Sequence, residues 1–202
     1  MLDRVRIKAA ADGVVAAALS GAPWDEALTH VARAAGARDA VLMRNSSNRM
    51  VAAFATEEAA ETVAAFAAGR APPNSRYERV RTGINDGFHV DHDDYRSEEL
   101  ARDPFYQEFL RPVGLFWHAN AVLDAPCPGE LLELSFKRRI EYGPYSRRDA
   151  EILDTVLPEL RAASRIMRHM LDAGTHGASR LLARRGPVTI EFDHRGRVLA
   201  VR

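Results

Sequence analysis

Apolar residues recur at helical spacing from the start of the chain. Ile7, Ala11, Val14 and Ala18, with Val15 and Leu19 beside them, make one stripe over residues 3–19. The Ser20-Gly21-Ala22 break ends it, and Pro23 opens a second helix at a position where a missing N–H costs nothing. Trp24, Ala27, Leu28, Val31 and Ala35 line the inner face of that helix. Asp25 and Glu26 suit its first turn, and Gly36 closes it. The period then shortens. Residues 39–44 and 49–55 read as strands around Asn45-Ser46-Ser47-Asn48, which is turn chemistry, so they predict a β-hairpin. A helix over about residues 57–68 ends before Pro72-Pro73.

Residues 74–99 carry the weakest pattern, with Gly83, Gly87 and the acidic run Asp91, Asp93, Asp94. Irregular segments of this length inside a domain are where function and mobility concentrate. Asp103-Pro104 supplies a good N-cap and a good first helical residue. Residues 115–123 read as a strand. In 131–139, Leu132, Leu134 and Phe136 alternate with Glu133, Ser135 and Lys137, which predicts an antiparallel strand packed on one side and solvated on the other. Pro126-Cys127-Pro128-Gly129 makes the turn between the two.

Ser146-Arg147-Arg148-Asp149 resembles a capping box, with Asp in place of Glu or Gln, and opens a helix towards Leu171. Leu153, Val156, Leu160, Ala163, Met167 and Met170 are spaced 3, 4, 3, 4, 3, a heptad seam that predicts pairing along the helix and hence a homodimer interface. Ile152, Leu157 and Ile166 widen it. Pro158 predicts a kink near Asp154. From Arg161 to Arg202 nine arginines face three acidic residues. Residues 187–201 read as a hairpin about Asp193-His194-Arg195-Gly196. A lone hairpin is marginal in water, so the expectation is that the chain is a fragment or that this hairpin pairs with another molecule. The predicted organisation is a domain over residues 1–172, a linker or helix extension over 173–186, and a hairpin over 187–202. The fold class is α+β: a central antiparallel sheet with helices on one face.

Composition narrows the function classes. The chain has 202 residues, 47% of them apolar and 28% charged, enough for one packed domain with a small appendage. Lys+Arg and Asp+Glu are both 28, so no whole-chain electrostatic footprint for nucleic acid or anionic membrane exists. Arg supplies 26 of the 28 basic residues and Ala 34 positions, which resembles codon bias of a GC-rich bacterial genome. The single cysteine, Cys127, excludes an intrachain disulfide, a CxxC redox pair and a cysteine-based zinc site. That composition fits a reducing cytoplasm. The N-terminus has no signal-peptide layout and no apolar run is long enough to span a bilayer, so the expected setting is cytoplasmic with no membrane partner.

Two segments carry a resemblance. Residues 95–114, with Asp103-Pro104-Phe105-Tyr106 and Gly114, resemble the "DP-aromatic … G" segment in the N-terminal regions of LuxR-type bacterial transcription regulators. Residues 143–162, from Gly143-Pro144-Tyr145-Ser146 to Leu157-Pro158-Glu159-Leu160-Arg161, resemble the signature that ends that region. Residues 188–201 are similar to the hairpin that follows in those proteins and begins a PAS-like segment. The resemblance implies a GAF-like sensor and dimerisation domain with long terminal helices. It also implies a possible small-molecule effector, and DNA contact only through a C-terminal helix-turn-helix that this chain does not contain. Glu159 stands where the family usually has His, so no role of that His carries over.

Candidate chemistry is sparse. Phe88, Tyr95, Phe105, Tyr106, Phe116, Trp117 and His118 gather apolar walls and a few polar groups, as a ligand pocket does; core packing is the alternative reading. Asp103 joins them because an Asp-Pro aspartate accepts a ligand amide in autoinducer-binding relatives, whereas a plain N-cap explains it without a ligand. His89, His92 and Asp93 have metal-type side chains, with a solvated acidic loop as the alternative. Cys127 reads as an ordinary thiol. Arg161, Arg165, Arg168, Arg180, Arg184 and Arg185 could touch phosphate non-specifically or form a solvated face. No Gly-x-Ser-x-Gly elbow, Walker loop or dinucleotide fingerprint occurs. These readings predict a ligand-sensing dimerisation domain that is not an enzyme and carries no cofactor. A ligand-free homodimerisation module is the alternative, and a metal-dependent small enzyme comes third.

Overall fold

The structure, a computed structural model, describes residues 2–46, 49–76, 79, 87–125, 129–173, 190–192 and 198–201. Helices α1 (Arg4–Ser20) and α2 (Trp24–Ala34) come first. Asp3 caps α1 by accepting from the Val5 and Arg6 N–H groups, and Gly21 closes it at φ 69°. Strands β1 (Asp39–Ser46) and β2 (Arg49–Ala55) form the predicted hairpin, and α3 (Ala60–Ala67) follows a single 3-10 turn. The segment read as irregular contains β3 (His89–Val90) and single helical turns at Asp91–Asp94 and Ser97–Leu100. A π-helical turn at Phe105–Leu110 stands where a plain helix is predicted. Strands β4 (Leu115–Asp124) and β5 (Glu130–Arg139) make a long hairpin, and α4 (Arg147–Asp154) and α5 (Leu157–Ala173) end the domain.

Five antiparallel strands form one sheet in the order β2-β1-β5-β4-β3. One face carries α1, α2, α4 and α5. Its core contains Ile7, Val14, Leu28 and Val31 from the first two helices, Leu42, Ala119, Leu134 and Phe136 from the sheet, and Leu153 and Leu160 from the last two. Phe88 stacks on Phe136 in this layer, with centroids 5.7 Å apart. The predicted α+β class with a central antiparallel sheet holds. Helices on one face only do not: α3 and the Phe105–Leu110 turn lie against the other face, where Thr62, Val63, Phe66, Phe105 and Phe109 oppose the sheet. Both faces are therefore covered, and a polar strand position need not face water.

Pro158 splits the long helix as its chemistry requires. The chain pauses at Thr155 and Val156, whose N–H groups bond back to Ile152 and Leu153. Pro158 then falls in the first turn of α5, where its missing N–H costs nothing. The heptad seam has a different destination from the one its spacing predicts. Leu153, Val156, Leu160 and Ala163 are buried in the chain's own core, so they do not form an exposed interface. The side chains of Met167 and Met170 lie outside the described residues, as do Cys127, Arg180, Arg184, Arg185 and the predicted linker. Strands β6 (Ile190–Phe192) and β7 (Val198–Val201) pair antiparallel, as the hairpin reading requires.

Candidate ligand-binding cavity

A half-open cavity lies between the second face of the sheet and the layer formed by α3 and the π-helical turn, with about 40 Å³ of free space, room for about three waters. Register decides its floor. Asp39, Val41, Met43 and Asn45 share one face of β1, and Asp39, Val41 and Met43 stand opposite Lys137, Ser135 and Glu133 of β5. On the far side of β5, His118 and Asn120 of β4 stand opposite Lys137 and Ser135. The alternation read as packed and solvated is therefore packed on one side and cavity-facing on the other. Glu133, Ser135, Lys137, His118 and Asn120 are all buried. Met43, Met50, Val63, Phe66, Phe105 and Phe109 supply apolar walls.

Most of the floor's polar groups hold one another. Lys137 Nζ lies 3.2 Å from Asp39 Oδ1, a buried cross-strand ion pair. His118 Nε2 and Ser135 Oγ are 2.7 Å apart. Burial, helped by Arg76 and Lys137, holds the His118 imidazole well below its usual pKa, so it is neutral. A histidine so depressed is a poor general base, and its bond to Ser135 ties β4 to β5 across the floor. Glu133 is different. Burial pushes its carboxyl up to about 7, against the lowering effect of Arg76, Lys137 and a hydrogen bond from Asn45. Its Oε2 is buried with no hydrogen-bond partner.

Arg76 closes one wall. Its guanidinium sits 5.1 Å from the Phe105 ring centroid and 5.0 Å from that of Tyr106, and donates to the Tyr106 hydroxyl at 3.4 Å. The Tyr106 hydroxyl in turn donates to Asp91 Oδ1, while Asp91 Oδ2 accepts the His118 N–H at 2.6 Å. Burial raises Asp91 to about 6 despite these partners, and raises the Tyr106 phenol well above its ordinary value. Arg76 Nε is buried without a partner. The neighbouring Ser75 hydroxyl bonds Tyr95 and donates to Asp103. Asp91, Tyr95, Asp103 and Tyr106 thus hold the Arg76 wall against the sheet.

Of the eight candidates for ligand contact, the structure brings Phe105 and His118 to the cavity. Phe88 belongs to the opposite core. Tyr95, Tyr106 and Phe116 pack together as a second apolar cluster, and the Trp117 indole donates to the Ile140 carbonyl. Asp103 is an N-cap: Oδ1 accepts from the Phe105 and Tyr106 N–H groups at 2.8 and 3.4 Å. The metal reading fails on geometry. His89 pairs with Asp94 at 3.5 Å, His92 packs on Trp117, and Asp93 accepts from Val90 N–H and Arg147. Among the described residues no group of three or more His, Cys, Asp or Glu could hold a metal. Arg161 and Arg168 turn back onto β4, donating to the Val122 carbonyl and to Asp124.

Glu133, Ser135, Lys137, Asn120 and Arg76 were not among the sequence candidates. For Glu133, Ser135 and Lys137 the signal was present in the β5 alternation, but only the placement of α3 makes it a cavity; Asn120 and Arg76 carried no such signal. No protein-family model matches the chain, and no curated protein is similar to it. Among the described residues no helix is long and apolar enough to cross a membrane.

Proposed function

We propose that this domain binds a small molecule in the cavity over β1, β4 and β5 and serves as a sensory module, the role implied by the resemblance to LuxR-type regulators. One observation carries the reading: free space remains between α3 and the sheet, and two residues of its lining, Glu133 and Arg76, each keep a buried polar atom without a partner. That argues against the ligand-free pairing module. A GAF-like arrangement is supported to the extent that an antiparallel sheet separates a helical layer from a pocket layer.

A route out of the pocket is available. Strand β4 contributes His118 and Asn120 to the floor and is tied further along to α5 through Arg161 and Arg168. A ligand that prefers one position of β4 therefore biases α5, which leads to whatever follows it. Pairing of two copies rests on surfaces other than the buried seam, and DNA contact on a following helix-turn-helix. Native mass spectrometry of the purified protein, with extraction of bound molecules, tests the reading. A co-purifying small molecule lost on replacing Val63 with Trp supports it. A chain that carries nothing and becomes more stable on the same substitution overturns it.

A further inference from the structure

The outward face of α1 is apolar where that of α2 is not. The exposed positions of α2 are Asp25, Glu26, His30 and Arg33, a polar back to an apolar front. On α1 the inner stripe of Ile7, Ala11, Val14 and Ala18 lies in the core. A second stripe, Val5, Ala9, Asp12, Ala16 and Leu19, runs along the other side at heptad spacing, and all five residues are exposed. Val5 and Leu19 are 78% and 72% exposed, more than any other large apolar side chain among the described residues. Spacing alone groups Leu19 with the inner stripe; the structure turns it outward. A helix that is apolar on two faces needs a partner on each.

The stripe matches itself. Asp12 is its midpoint, so an antiparallel crossing of two copies about a twofold axis there sets Val5 of each against Leu19 of the other. Ala9 and Ala16 lie between and are small enough for a close approach. Asp12 is paired with Lys8, which also lies 3.4 Å from Glu159, so the centre carries no unpaired charge. The flanks set the direction. Arg4 and Arg6 stand in the first turn of α1, and its last turn has no basic residue. A parallel pair would bring four arginines together. An antiparallel pair places them at the carbonyl end of the opposite helix, where cations are favoured.

We propose that two copies of this chain pair through α1, antiparallel, with Val5 of each packed on Leu19 of the other. This goes beyond the ligand-binding reading and supplies the pairing surface that the buried α5 seam does not. Analytical ultracentrifugation of the full chain at up to about 100 µM tests it. The native chain is expected to be a dimer, and Val5→Glu and Leu19→Glu each to weaken it by about tenfold or more. Both side chains stand in water, so melting of the diluted, monomeric chain should change little. Tyr142→Glu, at an exposed residue of another surface, should leave the dimer intact. Cross-linking in a Cys127→Ser background reads the direction. A mixture of Val5→Cys chains and Leu19→Cys chains should form a disulfide-linked dimer, and Val5→Cys chains alone should not. A monomeric native chain, or a dimer untouched by both Glu substitutions, overturns the proposal, as does linkage of Val5→Cys chains to one another. None of these outcomes touches the ligand-binding reading, which extraction of bound molecules decides by itself.

Discussion

Glu133 shows how one residue's environment becomes a property of the fold. Its folded carboxyl is raised to about 7 from an ordinary 4.5, so between those values the folded state holds a proton that the unfolded state has released. Stability from this group is therefore complete below about pH 4.5 and is lost as pH rises through 7, by roughly 3 kcal/mol for a shift of this size. Asn45 on β1, Lys137 on β5 and Arg76 from the cavity wall act on it and are present in both protonation states. Urea denaturation at pH 5 and pH 8 should show a marked fall for the native chain and a flatter profile for Glu133→Gln. Equal slopes would mean that the carboxyl is solvated. Asp103 illustrates the opposite case, a residue whose chemistry invites a ligand but whose carboxylate is taken up by the chain itself, Oδ1 by the cap and Oδ2 by the Ser75 hydroxyl. Asp103→Ala should cost about 1–2 kcal/mol through the lost cap and the lost Ser75 bond, as a thermal melt would show.

At the scale of elements, the junction between α4 and β3 is tightly specified. Asp154 ends α4, and its Oδ1 accepts the Phe88 N–H at 2.6 Å just before β3 begins. A Cβ on Gly87 would stand 2.9 Å from that same oxygen, so a side chain there displaces the Asp154 carboxylate from its bond to Phe88. Gly87→Ala and Asp154→Ala should each lower the unfolding free energy by about 1–3 kcal/mol, and the double variant should lose less than their sum because both act on one contact. Chemical denaturation of the three variants checks this; simple additivity would place the two residues in separate contacts. The break at Pro158 belongs to the same junction, since it frees α4 to end where Asp154 can reach β3.

For the whole molecule, the decisive fact is that the sheet is covered on both faces. Leu153, Val156, Leu160 and Ala163 of the seam are taken up by the chain's own core, so Leu160→Ala should cost about 2–5 kcal/mol by opening a cavity there. Its mass by light scattering should match that of the native chain. A variant that dissociates without losing stability would return the seam to an interface role.

Helices α1 and α2, the β1–β2 and β4–β5 hairpins and the Pro158 break were legible in the sequence because each rests on local chemistry: periodicity, caps, turn residues and a missing N–H. The cavity was not. Glu133, Ser135 and Lys137 look alike whether water or a buried pocket faces them, because a period of two says which side a residue takes and nothing about what lies there. The heptad spacing of α5 likewise fixes a stripe without naming its partner, and the chain's own core proved to be that partner. Local elements and their polarity were thus determined by the sequence itself. The tertiary structure alone decided which stripe met which layer, since that depends on residues such as Phe66 and Glu133, far apart in the chain and without a shared local pattern, being brought to one cavity.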